Sequence, residues 1–116
     1  MALPNQRVVC VLGEGSAQYA VTGFWTAAAY RIPVTFLVLR NEEYAILKWF
    51  ADLEQVTGAP GLDLPALETA KVAEGYGVPS RQVAGRDELR EALTSALDSD
   101  EPRLVEVRVN PGMSWT

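Results

Sequence analysis

Glu14 and Asn41 are the residues in this chain best suited to hold a metal ion. Glu14 lies within Gly13-Glu14-Gly15-Ser16, directly after the apolar run Val8-Val9-Cys10-Val11-Leu12, and Asn41 follows 27 positions later, after the apolar run Val34–Leu39. A carboxylate and a carboxamide are hard oxygen ligands. Mg²⁺ typically takes one or two such groups and completes its octahedron with phosphate oxygens and water. Gly13 and Gly15 tolerate positive φ and let other groups approach the backbone. Ser16 is a good helix N-cap, and a fresh helix N-terminus presents free N–H groups to an anion. The spacing alone also admits a plainer reading, with Glu14 a solvated loop acid and Asn41 a turn former. Gly13-x-Gly15-x-x-Gln18 lacks the third glycine of a dinucleotide fingerprint, and no Gly-x-x-x-x-Gly-Lys-Ser/Thr run occurs.

The two residues can meet only if the elements before them are neighbours. Val8–Leu12, β-branched and continuous, predicts a strand buried on both faces. Ala17–Tyr30 predicts a helix, apolar around most of its circumference and so covered on more than one side. Arg31-Ile32-Pro33 ends it. Val34–Leu39 predicts a second buried strand, completing a right-handed βαβ unit. A short helix is expected over Tyr44–Phe50 and a loop over Asp52–Asp63. Asp63 is expected to cap a helix over Leu64–Glu74 that Gly75 and Gly77 end. Val78–Val83 is a weak strand. Leu89, Ala92, Leu93, Ala96 and Leu97 mark an amphipathic helix. Leu104–Val109 alternates, predicting a half-exposed or edge strand. The order implies an α/β fold: three layers, α/β/α, around an open, mostly parallel sheet. Ligands of such sheets bind beyond the carboxyl ends of the strands, where Glu14 and Asn41 both fall. Trp25 and Trp49 are expected in the core, as bulky aromatics usually are.

Composition narrows the function. With 116 residues the chain holds one domain. A net charge of −5 without a Lys/Arg cluster argues against nucleic acid as a partner. The absence of His excludes His catalysis and His ligation by this chain. Cys10, the single cysteine, is expected to pack as a small hydrophobe. No apolar run reaches the roughly 20 residues of a membrane span, and the chain is read as cytoplasmic. The opening Met1–Arg7 leads at once into a strand, so the domain is expected to be partial, with its sheet truncated at the N-terminal edge. Residues 110–116 are expected to form a loose tail.

Gly13-Glu14-Gly15-Ser16 followed by Asn41 resembles the thiamine-diphosphate motif, which begins Gly-Asp-Gly and ends Asn-Asn. Phe24-Trp25-Thr26-Ala27-Ala28, Ile32-Pro33, Tyr44-x-x-Leu47-Lys48-Trp49-Phe50, Pro60-Gly61-Leu62-Asp63 and Gly75-Tyr76-Gly77-Val78 extend the resemblance to the C-terminal cofactor domain of benzoylformate decarboxylase-like enzymes. The resemblance implies a thiamine diphosphate-dependent 2-oxo-acid decarboxylase with thiamine diphosphate and Mg²⁺ (or Ca²⁺) as cofactors. It implies that Glu14 and Asn41 bind the metal and that Glu43 lends its backbone carbonyl. It also implies that Gly13, Gly15, Ser16 and Tyr44 lie at the diphosphate, and Leu47 and Phe50 on the substrate side, though apolar spacing fits the last two to helix core equally well. Two positions depart from the motif: its Asp is Glu14 here, and its first Asn is Arg40. The family's cofactor lies between two domains of different subunits, the other of which supplies the activating Glu. The implied partner is therefore the pyrimidine-binding domain of another subunit, in a homo-oligomer, and no catalytic residue is expected in this chain, which is expected to be inactive alone. The rival reading is a non-catalytic α/β binding or assembly module that has lost its metal.

Overall fold

The computed structural model describes residues 5–112. Four strands, β1 (Val8–Gly13), β2 (Val34–Arg40), β3 (Ser80–Val83) and β4 (Arg103–Arg108), form one all-parallel sheet in the order β1-β2-β4-β3. One face carries α1 (Glu14–Ala17), α2 (Thr22–Ala29) and α4 (Thr69–Gly75); the other carries α5 (Gly85–Leu97); α3 (Ala45–Leu53) follows the second strand. The core on the first face joins Ala17, Phe24, Val38, Ala70, Ala73, Val78 and Leu104. On the second, Val83, Val105 and Val107 pack under Ala92 and Ala96. The arrangement is the three-layer α/β/α fold expected. No helix among the described residues is long and apolar enough to cross a membrane.

The expected β1–β2 pairing is present, with Val8 opposite Val34 and Gly13 opposite Leu39. The register brings the ends of both strands to one level, so Glu14 and Asn41 emerge at the same edge of the sheet.

Several local expectations are corrected. β1 is an edge strand, and Val8, Val9 and Val11 are exposed. Among the described residues, the helix on the second face packs chiefly over β2, β3 and β4. The long helix predicted from Ala17 is broken: helix begins at Glu14, passes through a 3₁₀ turn at Gln18–Ala20 and resumes at Thr22. Gly13 is the N-cap, in extended conformation at φ −76°, and neither Gly13 nor Gly15 has positive φ. Ser16 is inside the first helical turn and caps nothing. α2 buries only Phe24 and Ala27, so within this chain it is covered on one side. Trp25 and Trp49 are exposed rather than core. They pair edge-to-face with Tyr30 and Phe50.

α4 starts at Thr69, not Leu64, because Ala66 takes φ 58°, which a helix cannot continue through. Asp63 caps nothing; it forms an isolated antiparallel bridge with Glu43. At its other end α4 closes as expected: Gly77, at φ 97°, lets the Val78 N–H reach the Ala73 carbonyl at 2.9 Å. β4 is not an edge. It pairs with both β2 and β3 and is buried from Leu104 to Val107, including Glu106.

Candidate metal and diphosphate site

Glu14 is the most deeply buried charged residue at the sheet's carboxyl edge, 1% exposed. Its Oε1 accepts the backbone N–H groups of Asn41 at 2.6 Å and Glu42 at 2.7 Å. The side chain thus ties the end of β1 to the loop after β2. Burial pushes its carboxyl pKa up, opposed by these two backbone hydrogen bonds and by the Arg40 guanidinium. Among the described residues Oε2 has no hydrogen-bond partner, and it faces Arg40 Nε at 3.9 Å.

The loop is held in turn from its far side. Glu42 takes φ 62°, a conformation that costs a non-glycine residue about 1–2 kcal/mol. Backbone bonds from Tyr44 N to Leu62 O and from Leu64 N to Glu42 O, both 2.8 Å, clamp it to the Asp63 segment. The Glu43 side chain is occupied: it accepts Lys48 Nζ at 2.6 Å and the Gly112 N–H. The Lys48 hydrogen bond holds its carboxyl below the usual range. Lys48 also reaches Asp63 at 2.6 Å. Only the Glu43 backbone carbonyl is therefore available as a ligand.

That carbonyl turns toward Asn41. The inward terminal atom of the Asn41 carboxamide lies 2.9 Å from Glu43 O and 3.0 Å from Glu14 Oε1. With no cation between them, the amide nitrogen belongs at that position and donates to both oxygens. With a cation, the amide oxygen belongs there. Oxygens around Mg²⁺ at 2.0–2.1 Å lie about 2.9 Å apart along an octahedral edge, and these spacings match. The donor set fits a small hard cation. It is also incomplete: the described residues contain no group of three His, Cys, Asp or Glu side chains able to hold a metal. Phosphate and water oxygens would have to complete the shell.

The proposed diphosphate residues surround the start of α1. A Cβ added at Gly15 would lie 2.5 Å from Tyr44 Cε1 and 2.7 Å from Cδ1. Glycine is required here for close approach, and not for positive φ. The Tyr44 ring lies over the helix start, and its hydroxyl accepts Gln18 Nε2 at 3.0 Å. Gly13 and Ser16 are exposed beside it. Leu47 and Phe50 stand apart on α3, 42% and 48% exposed, beside exposed Ile46 and Leu53. α3 buries no residue fully, so the helix-core reading of Leu47 and Phe50 fails within this chain. A cavity of about 570 Å³ opens on the other side of the loop, among Asn41, Glu43, Arg108 and Asn110.

Two further charged residues are buried nearby. Arg40, a departure from the motif in sequence, is 9% exposed and donates to Glu42 at 3.0 Å. Glu106, 2% exposed, accepts the Thr69 and Ala70 N–H groups at 3.3 and 3.4 Å and Gln82 Nε2 at 3.0 Å. It caps α4 from across the sheet. The lone acid in an otherwise apolar Leu104–Val107 run is the signal that could have exposed it. Of the tail, Gly112 touches Glu43, and residues 113–116 lie outside the described residues.

The family model "Thiamine pyrophosphate enzyme, C-terminal TPP binding domain" matches residues 1–107. Benzoylformate decarboxylase of Pseudomonas aeruginosa is 46% identical over 107 residues, 92% of this chain and 20% of that protein. An acetolactate synthase large subunit of Haemophilus influenzae is 35% identical, over 95% of this chain and 19% of that protein. Among solved structures, the thiamine diphosphate-dependent 4-hydroxybenzoylformate decarboxylase of Rhodococcus jostii aligns with a TM-score of 0.92 and 41% identity, over 97% of this chain and 21% of that one. The chain thus spans about a fifth of the length of these relatives. In sequence and fold it belongs to the thiamine pyrophosphate enzyme family, as the C-terminal TPP-binding domain of a benzoylformate decarboxylase-like member.

Proposed function

We propose that this domain holds the metal–diphosphate end of thiamine diphosphate in a 2-oxo-acid decarboxylase whose substrates are arylglyoxylates such as benzoylformate. The observation that carries the cofactor reading is the convergence of Glu14, the Asn41 carboxamide and the Glu43 carbonyl at octahedral-edge spacing. Glu14, Asn41 and Glu43 would hold Mg²⁺ (or Ca²⁺). The free N–H groups at the start of α1, at Gly15 and Ser16, would receive phosphate oxygens. Tyr44, resting on Gly15, would wall that pocket and keep water from the phosphate. Gly13 would leave the cofactor room to approach the strand end. When bound, thiamine diphosphate supplies the carbon nucleophile for the 2-oxo group and the ring that takes up electrons as CO₂ leaves.

Leu47 and Phe50 are exposed on a helix that buries none of its residues fully among the described residues. We assign them to the substrate side, where an apolar wall favours an aryl group. The pyrimidine-binding domain of a partner subunit in a homo-oligomer would complete the site and bring the activating Glu. This chain alone is expected to turn over nothing, because no side chain at the site is placed as a free acid or base. Acetolactate synthases among the relatives support a second reading within the same chemistry, in which the activated 2-oxo acid is passed to a carbonyl acceptor.

Titration calorimetry of thiamine diphosphate into the chain, with and without Mg²⁺, tests the cofactor reading. Metal-dependent binding supports it; no binding at millimolar cofactor with Mg²⁺ overturns it. Substrate class is tested on the intact polypeptide that carries this domain. CO₂ release from benzoylformate well above that from pyruvate supports the decarboxylase, and acetolactate formed from pyruvate supports the second reading.

A further inference from the structure

Arg40 stands between Glu14 and Glu42 at the end of β2. Its side chain is 11% exposed, and that of Glu14 is not exposed at all. Arg40 Nε and Glu14 Oε2 are both buried, both without a hydrogen-bond partner among the described residues, and they face each other at 3.9 Å. A buried ion left without its counter-charge is strongly unfavourable. The other end of the guanidinium is anchored, with Nη2 on Glu42 Oε1 at 3.0 Å, and Arg108 joins the same oxygen at 3.3 Å. Glu14 Oε1 is meanwhile committed to the Asn41 and Glu42 N–H groups. The extra methylene of a glutamate carries the carboxylate to this loop, and the long arm of an arginine carries a positive charge to its second oxygen.

We propose that Glu14 and Arg40 act as one unit, in which Arg40 is a positioning residue whose fixed charge holds Glu14 against the Asn41 loop in the geometry that meets the metal. The consequence for the metal rests on the cofactor reading above; the coupling itself does not. Glu14→Asp withdraws the carboxylate by about 1.5 Å, one C–C bond, and strands Arg40. Arg40→Asn strands Oε2. Changing both removes the Arg40 charge and withdraws the carboxylate oxygen that it faced.

A double-mutant cycle with Glu14→Asp, Arg40→Asn and the double variant tests this. One arm measures thermal unfolding of the chain without ligand. The other measures the Mg²⁺ concentration that half-saturates thiamine diphosphate binding, a readout that a merely structural role leaves unmoved. Each single variant is expected to raise that concentration at least tenfold, and the double variant no more than the worse single. The melting loss of the double variant is expected to fall short of the sum of the singles. Additive effects in both arms overturn the proposal. Arg40→Lys keeps the charge and is expected to lose less than threefold; a loss as large as that of Arg40→Asn also overturns it. If even the unaltered chain binds no cofactor, the cofactor reading falls, and additivity or coupling in the unfolding arm alone decides the pair.

Discussion

Glu14 meets two opposing demands, and its pH behaviour follows from them. Burial raises its pKa above the usual glutamate value of 4.5, and the Asn41 and Glu42 amides resist the shift without cancelling it. For an acid with a raised folded-state pKa, the stabilising contribution is present below 4.5 and lost as pH rises through the raised value. The unliganded chain is therefore expected to lose stability from this group on going from mildly acidic to neutral pH, and Glu14→Gln to remove that part of the slope in urea titrations at several pH values. A metal needs the ionised carboxylate, so Mg²⁺-dependent cofactor affinity is expected to move the opposite way, rising with pH, as calorimetry at pH 6 and pH 8 would show. Gly15 supports a second expectation. Its missing Cβ is the space the Tyr44 ring occupies, so Gly15→Ala is expected to cost about 1–3 kcal/mol by overpacking, measured by denaturant unfolding, and to displace Tyr44.

At the scale of elements, the site is a junction of three backbone segments held by side chains from elsewhere. α1 follows β1, the Asn41 loop follows β2, and the Asp63 segment bridges that loop through Glu43. α4 is aligned by Glu106, which reaches it from β4. Glu106→Ala leaves two helix N–H groups and Gln82 without their acceptor and is expected to cost about 2–3 kcal/mol in unfolding free energy. Glu106→Gln, which keeps an acceptor oxygen, is expected to cost less. Hydrogen exchange at Thr69 and Ala70 should rise in the alanine variant while the β1–β2 amides stay protected.

Among the described residues, exposed apolar side chains gather on β1 and on α3, besides Tyr19, Trp25 and Tyr30 about α2. β1 presents exposed Val8, Val9 and Val11 on an unpaired edge, and α3 with its following turn presents Ile46, Leu47, Phe50, Leu53 and Val56. Both are surfaces of the kind that pair strands or bury against partners. The 116-residue chain is expected to self-associate at high concentration, and light scattering would measure it. Val9→Lys with Val11→Lys should shift the distribution toward monomer if the strand edge drives it. An unchanged distribution would point to α3.

The fold class, and the placing of the candidate site residues at one sheet edge, were legible because they rest on local order. Continuous β-branched runs make strands, a short crossover between them makes a parallel pair, and residues just past two such strands must meet at one edge. That is why Glu14 and Asn41 could be paired from spacing and resemblance before their hydrogen bond at 2.6 Å was seen. Burial was not legible in the same way. β1 and β4 read as buried and edge strands and turned out the reverse, because strand order depends on contacts distant in sequence. The left-handed turns at Glu42 and Ala66 carry no glycine to announce them, and tertiary clamps impose them. The Glu106 cap joins residues 36 positions apart, so no window along the chain contains it. What the sequence determined by itself was which elements form and which chemistry stands at their ends. Only the tertiary structure decided which charges are buried together, because long-range packing alone sets how much water each one keeps.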